Sequence, residues 1–247
     1  MTSTPRAAVR ALELDPQLPP GDDERFVGFG VMGLPFRSGW CLALRSWAAT
    51  TIGPPYRAVY VQNPAGEWTI QTEAPPDQSC PRYLSAAATE IPSPKPIDVT
   101  WLDAHTLQVR LGDELDWTMS LGDKPATRIL RAVSSVVPDA WWASNAVLAG
   151  MGATAGPMLN AGRVRLQGEV PNRQWFQAAP NLVWPIRSAS ARWRGTDLGE
   201  IGRRHPQSHL ADLWLPQQGL FYVGSAVFER LDPTRHVRPA LTGLGSR

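Results

Sequence analysis

Lysine is the scarcest charged residue in this chain. Of 24 basic side chains, only Lys95 and Lys124 are lysine, and the rest are arginine. A GC-rich genome produces that bias, but it also constrains chemistry. A Schiff-base enzyme needs a desolvated lysine amine. Lys95 stands in Pro-Ser-Pro-Lys-Pro and Lys124 follows Gly-Asp, so neither reads as buried. Cysteine is equally sparse. Cys41 and Cys80 are the only two, with no CxxC between them, and they do not make a disulfide framework. The first residues lack an apolar signal core, and no run is long enough to span a membrane. These absences place the protein in the cytoplasm.

Charge excess is small too. A net charge of +2 and dispersed arginines give no basic groove for nucleic acid. No GxSxG nucleophile elbow is present, which argues against an α/β-hydrolase. His205 and His209 are four apart, but Pro206 separates them and no HExxH accompanies them. His105 and His236 stand alone, so the ligand set for a metal is incomplete. Neither a metal nor a cofactor is expected.

What the chain does have is alternation. A length of 247 residues is enough for a full core in one β-rich domain. In the stretch 97–121, apolar residues fall at Ile97, Val99 and Trp101, then Leu107, Val109 and Leu111, then Leu115, Trp117, Met119 and Leu121. That is period two, three times over, with turns at Asp103-Ala104 and Gly112-Asp113. Short turns favour antiparallel neighbours, so these segments form a meander.

Residues 1–25 read as a flexible arm, with four prolines and an acidic run before the first strand. Gly28, Gly30 and Gly33 then match GxGxxG, a dinucleotide fingerprint only if a helix starts at them. Pro35 and the Ser38-Gly39 turn leave no room for that helix, so the glycines belong to a bulged or closely packed strand. Strands follow at 39–47, 56–62 and 67–73, the last two joined by the turn Asn63-Pro64-Ala65-Gly66.

The period changes after Pro125. Ile129, Val133, Trp141 and Leu148 fall at helical spacing, which predicts a helical pair inserted at 125–160. Alternation returns from Gly162. Expected strands include a long one at 182–193 interrupted by Pro185, then 210–215 and 219–231, before a tail over 232–247. The fold class is therefore mainly β, with 26–231 as a single domain. It is an antiparallel lipocalin-like barrel or a two-sheet sandwich with the helical pair inserted.

Tryptophan is abundant, with 11 residues. A cavity rimmed by indoles holds an apolar molecule while the ring N–H fixes a polar end. Tryptophan also simply fills wide cores. Trp101, Trp117, Trp175, Trp184 and Trp214 are the candidate ligand-binding residues. Asp212 is the candidate catalytic residue. In Ala211-Asp-Leu-Trp214-Leu it shares parity with Trp214. If that face is interior, its carboxyl is desolvated and suited to general acid work. With the opposite parity, Leu213 and Leu215 point inward and Asp212 is solvated.

The segments DVTWLDAHTLQVRL, DELDWTMSL, RVRLQGEVPN, QWFQAAP and ARWRGTDLG resemble an uncharacterised family of bacterial proteins. The meander ending in LDWTMSL, followed by a second β block after an insertion, is similar to lipocalin-like proteins related to carotenoid hydratases. That likeness implies an architecture and maps no catalytic residue onto this chain. Three functions fit these features. One is binding of a hydrophobic small molecule, isoprenoid- or lipid-like, in a Trp-lined barrel. Another is an acid-catalysed hydratase or isomerase acting on such a molecule. The third is a partner-binding protein that uses the helical pair.

Overall fold

The structure, a computed structural model, describes residues 4–122, 156 and 160–237. The expected helical pair, with Ile129, Val133, Trp141 and Leu148, lies outside the described residues. Helix α1 (Pro5–Leu14) falls within the expected arm. Thr4 caps it by accepting from the Ala7 amide at 3.2 Å, and Pro5 fills the first turn where no N–H is needed. Ala8 and Val9 are buried against the core.

Strands β1 (Glu24–Pro35), β2 (Cys41–Thr50), β3 (Tyr56–Gln62) and β4 (Trp68–Thr72) make consecutive antiparallel pairs. Helix α2 (Pro81–Leu84) sits in the proline-rich connection. The meander follows as β5 (Asp98–Trp101), β6 (Thr106–Leu111) and β7 (Leu115–Leu121), antiparallel as its alternation predicts. After the undescribed segment come β8 (Gln167–Glu169), β9 (Trp175–Trp193), β10 (Thr196–Asp197), β11 (His209–Leu210), β12 (Leu213–Trp214) and β13 (Leu220–Phe228).

The sheet runs β4-β3-β2-β1-β13-β9-β7-β6-β5, with β8 and β10 attached to β9. It is a curled, open half-barrel. Among the described residues its ends, β4 and β5, do not pair with each other, so the sheet is open where the lipocalin-like alternative expects closure. Strand β9 explains the curl. Its first half pairs with β13 and its second half with β7, so 19 residues carry the sheet around the bend. The interruption expected at Pro185 does not occur. Pro185 pairs with Leu220 inside the strand, and its carbonyl accepts the Gly122 amide at 2.8 Å. Pro180 lies at the register shift opposite Val223 and Ser225, where no ladder N–H is required.

The two larger apolar clusters occupy the two faces of the sheet. The first fills the curl, and residues from distant strands meet there: Val59 and Val61 of β3, Leu107 and Val109 of β6, Trp117 of β7, and Trp184 of β9. The second lies on the other face of β1, β2, β3 and β13, under α2 and the 160–215 loops. Parity separates them within each strand. In β2, Leu42 and Leu44 enter the first cluster, while Cys41, Ala43 and Trp47 enter the second. The glycine strand β1 is extended, with register shifts at Val27/Gly28 and Val31/Leu34. A Cβ on Gly28 or Gly30 would lie 2.1 Å from the carbonyl oxygen of Ser46 or Leu44. These glycines are there for close backbone approach, as the absence of a following helix predicts.

Candidate functional site

The second cluster is not fully packed. It lines a partly open cavity of about 70 Å³. The floor is the sheet: Phe26 and Met32 of β1, Arg45 and Trp47 of β2, Tyr56 and Tyr60 of β3, Tyr222 and Phe228 of β13. Each faces it because its strand neighbours, such as Leu44 or Phe221, are committed to the other cluster. Cys80 and Tyr83 close one side from α2 and the residue before it. Phe176 of β9, Leu213 and Trp214 of β12, and Arg165 complete the wall.

The walls are mostly aromatic and locked together. Phe26 lies 5.1 Å from Trp47 between ring centroids and 5.4 Å, edge-on, from Phe228. Tyr83 stacks on Phe228 at 4.1 Å. Trp214 forms part of the cover, with His209 stacked on it at 4.5 Å and the Arg163 guanidinium 4.5 Å from its ring centre.

Two arginines reach this lining: Arg165 pairs with Asp212, and Arg45 has no ion-pair partner among the described residues. Arg45 is 8% exposed. Its guanidinium lies 5.2 Å from the Tyr60 ring centre and 5.6 Å from that of Tyr222. Its Nη1 donates to the carbonyls of Val31 at 2.6 Å and Leu44 at 2.9 Å. Burial pulls the pKa of Arg45 down, but Tyr222, Tyr60, Cys80 and Tyr56 outweigh it, so the group is a fixed cation. Burial pushes the Tyr222 phenol up to about 12, with Arg45 pulling the other way. Tyr56 and Tyr60 are pushed well above the usual phenol range, by burial first and then by Cys80. All three stay protonated, and the Tyr56 hydroxyl lies 3.3 Å from the Cys80 sulfur. Among the described residues no carboxylate, imidazole or lysine lines the cavity. Phenol and thiol donors and the two arginines can bind and orient a molecule.

The tryptophans expected at a ligand site divide. Trp214 lines the cavity. Trp117 and Trp184 are fully buried in the first cluster, on the other face of the sheet, and Trp101 packs against that same cluster. Trp175 is 40% exposed. Alternation marks a residue as buried, but in a sheet covered on both sides it does not say on which side. Trp47, Arg45 and the tyrosines were not singled out by sequence. The signal for them is in β2, where Cys41, Ala43 and Trp47 alternate with Leu42 and Leu44, so both faces are apolar and Arg45 has nowhere exposed to go.

Asp212 does not sit on the expected strand. It occupies the turn between β11 and β12, where parity does not apply. It forms an ion pair with Arg165 and accepts the Glu169 amide at 3.2 Å. The pair is about a third exposed, at the outer edge of the cover. His209, considered for metal binding, stacks on Trp214 instead. Among the described residues no three metal-ligating side chains cluster, and no helix is long and apolar enough to cross a membrane.

No family model and no curated protein matches the chain. Among solved structures, acetoacetate decarboxylase from Legionella pneumophila is similar over 90% of each chain, with a TM-score of 0.40 and 11% identity.

Proposed function

We propose that this chain binds a small hydrophobic molecule in the aromatic cavity beneath Trp214. The observation that carries the reading is an internal space left unfilled among Phe26, Trp47, Tyr83, Phe176 and Phe228. Cores otherwise pack to near crystal density, and a void there forfeits dispersion contacts. At about 70 Å³ the space is smaller than the ~150 Å³ that holds one benzene ring, so a compact ligand, one ring or a short branched chain, enters as the Trp214 side widens. The space is well below the ~300 Å³ at which drug-sized pockets begin. An isoprenoid- or lipid-like chain enters only if the cover formed by Trp214 and the Arg165–Asp212 pair swings away. The pairing of Asp212 with Arg165, outside the lining, favours binding over the hydratase or isomerase reading.

Calorimetry with toluene and indole tests this reading. Binding of either, with quenching of tryptophan emission, is expected. Absence of binding by both, to protein that unfolds cooperatively, defeats it. Mass spectrometry of apolar molecules extracted from the purified protein then identifies the natural occupant.

A further inference from the structure

Among the described residues Arg45 has no counter-ion, whereas Arg165 in the same lining pairs with Asp212. Buried guanidinium groups are costly unless each N–H finds an acceptor, and they do not neutralise by losing a proton. The chain contains a second buried arginine for comparison. Arg204 spends Nε on the Gly39 carbonyl at 2.6 Å, Nη1 on that of Pro206 at 2.8 Å, and Nη2 on that of Asn63 at 3.3 Å. Each of its three nitrogens has an acceptor, and the bonds pin loops together. Arg45 places both of its hydrogen bonds on Nη1, and Nε and Nη2 make none among the described residues. The buried carboxylate of Glu24 is already engaged by Arg82, Tyr83 and Gln174. Methionine or leucine at position 45 would fill the same floor without the desolvation cost.

We infer that the ligand of this cavity is a compact monocarboxylate, an apolar or aromatic body carrying one carboxyl group that pairs with the free edge of Arg45. The inference rests on the small-molecule reading above and names its substrate class. An arginine edge with two unused nitrogens matches the two oxygens of a carboxylate. The Tyr60 and Tyr222 rings flank the guanidinium and line the same cavity. The aromatic walls take the body. Phosphate fits poorly, since its remaining oxygens would be stranded among Phe26, Phe176 and Phe228.

The test compares benzoate, benzamide and toluene on the full chain by calorimetry at neutral pH. Benzoate is expected to bind about tenfold or more tightly than benzamide, which has the same shape without the charge. In Arg45→Gln that preference is expected to vanish while toluene binding persists. Equal affinity for benzoate and benzamide overturns the carboxylate inference and leaves the hydrophobic-binding reading standing. Failure of all three probes overturns both. Should Arg45→Gln not fold, the wild-type comparison and Arg45→Lys, which keeps a charge but loses the fork, decide: a benzoate preference that is undiminished in Arg45→Lys counts against pairing with the guanidinium edge.

Discussion

Tyr83 donates its hydroxyl to the carboxylate of Glu24 at 2.6 Å, joining α2 to the first residue of β1. Arg82 grips the same carboxylate with Nη2 at 2.5 Å and Nε at 3.2 Å, and Gln174 adds a third donor at 3.1 Å. This clasp ties one side of the cavity to the sheet. Burial would raise the Glu24 carboxyl above its ordinary 4.5, but the bonds from Arg82, Tyr83 and Gln174 outweigh it and hold the pKa lower. A carboxylate with a depressed folded-state pKa stabilises fully above its unfolded value and loses that contribution as pH falls through the folded one. Glu24→Gln is therefore expected to cost about 2 kcal/mol at neutral pH. Urea titrations should show the gap from wild type closing below pH 4.5. A gap that is constant with pH would mean the charge contributes nothing.

Gly30→Ala is expected to destabilise by about 3 kcal/mol, because the new methyl meets a backbone oxygen that cannot step aside. Gly30 pairs with Arg45 across β1 and β2. The same substitution should therefore weaken benzoate binding, measured under conditions where the variant remains folded.

Two tryptophans separate core from cavity. Trp117→Ala removes a fully buried side chain from the first cluster and is expected to cost roughly 3–5 kcal/mol. Trp214→Ala removes part of the cover and is expected to cost about 1 kcal/mol, through its lost contacts with Arg163 and His209. Toluene affinity should fall in the Trp214 variant. Paired denaturation and calorimetry check both expectations, and the reverse order would misplace the cavity.

Asp212→Asn keeps the shape and removes the charge facing Arg165. The pair is about a third exposed, so the expected loss is below about 1 kcal/mol. Toluene affinity should be unchanged. A large stability loss by thermal denaturation would show the turn to be a structural anchor.

The meander was legible in the sequence because its outer face is wet. Asp98, Arg110 and Asp116 stand on that side, and Arg110 pairs with Asp116 at 3.3 Å. Strands β1 and β2 gave a weaker pattern because both faces are covered, which replaces alternation by a run of buried residues. Arg45 is accordingly not marked out in GWCLALRSW, although Ala43, Leu44 and Trp47 around it are apolar. The misplacement of Asp212 has another cause. Leu210 to Leu215 alternates like a strand, yet Ala211 takes a left-handed φ of 52° and turns the chain into a two-residue hairpin. Residues from Trp175 to Trp193 read as two pieces because proline usually ends a strand, whereas here one proline sits at a bulge and the other at a position whose N–H is not needed.

Strand β13 stands between β1 and β9, and so joins β1–β4 to the rest of the sheet. It is also the last strand in chain order among the described residues. During synthesis the four N-terminal strands can pair as soon as they emerge, but β1 keeps an open edge until residues 220–228 arrive. The earlier-made half must wait beside a ribosome with that edge unpaired, exposed to other nascent chains. Closing the gap brings together Glu24 and Phe228, near opposite ends of the chain, and contacts of that span make folding slow.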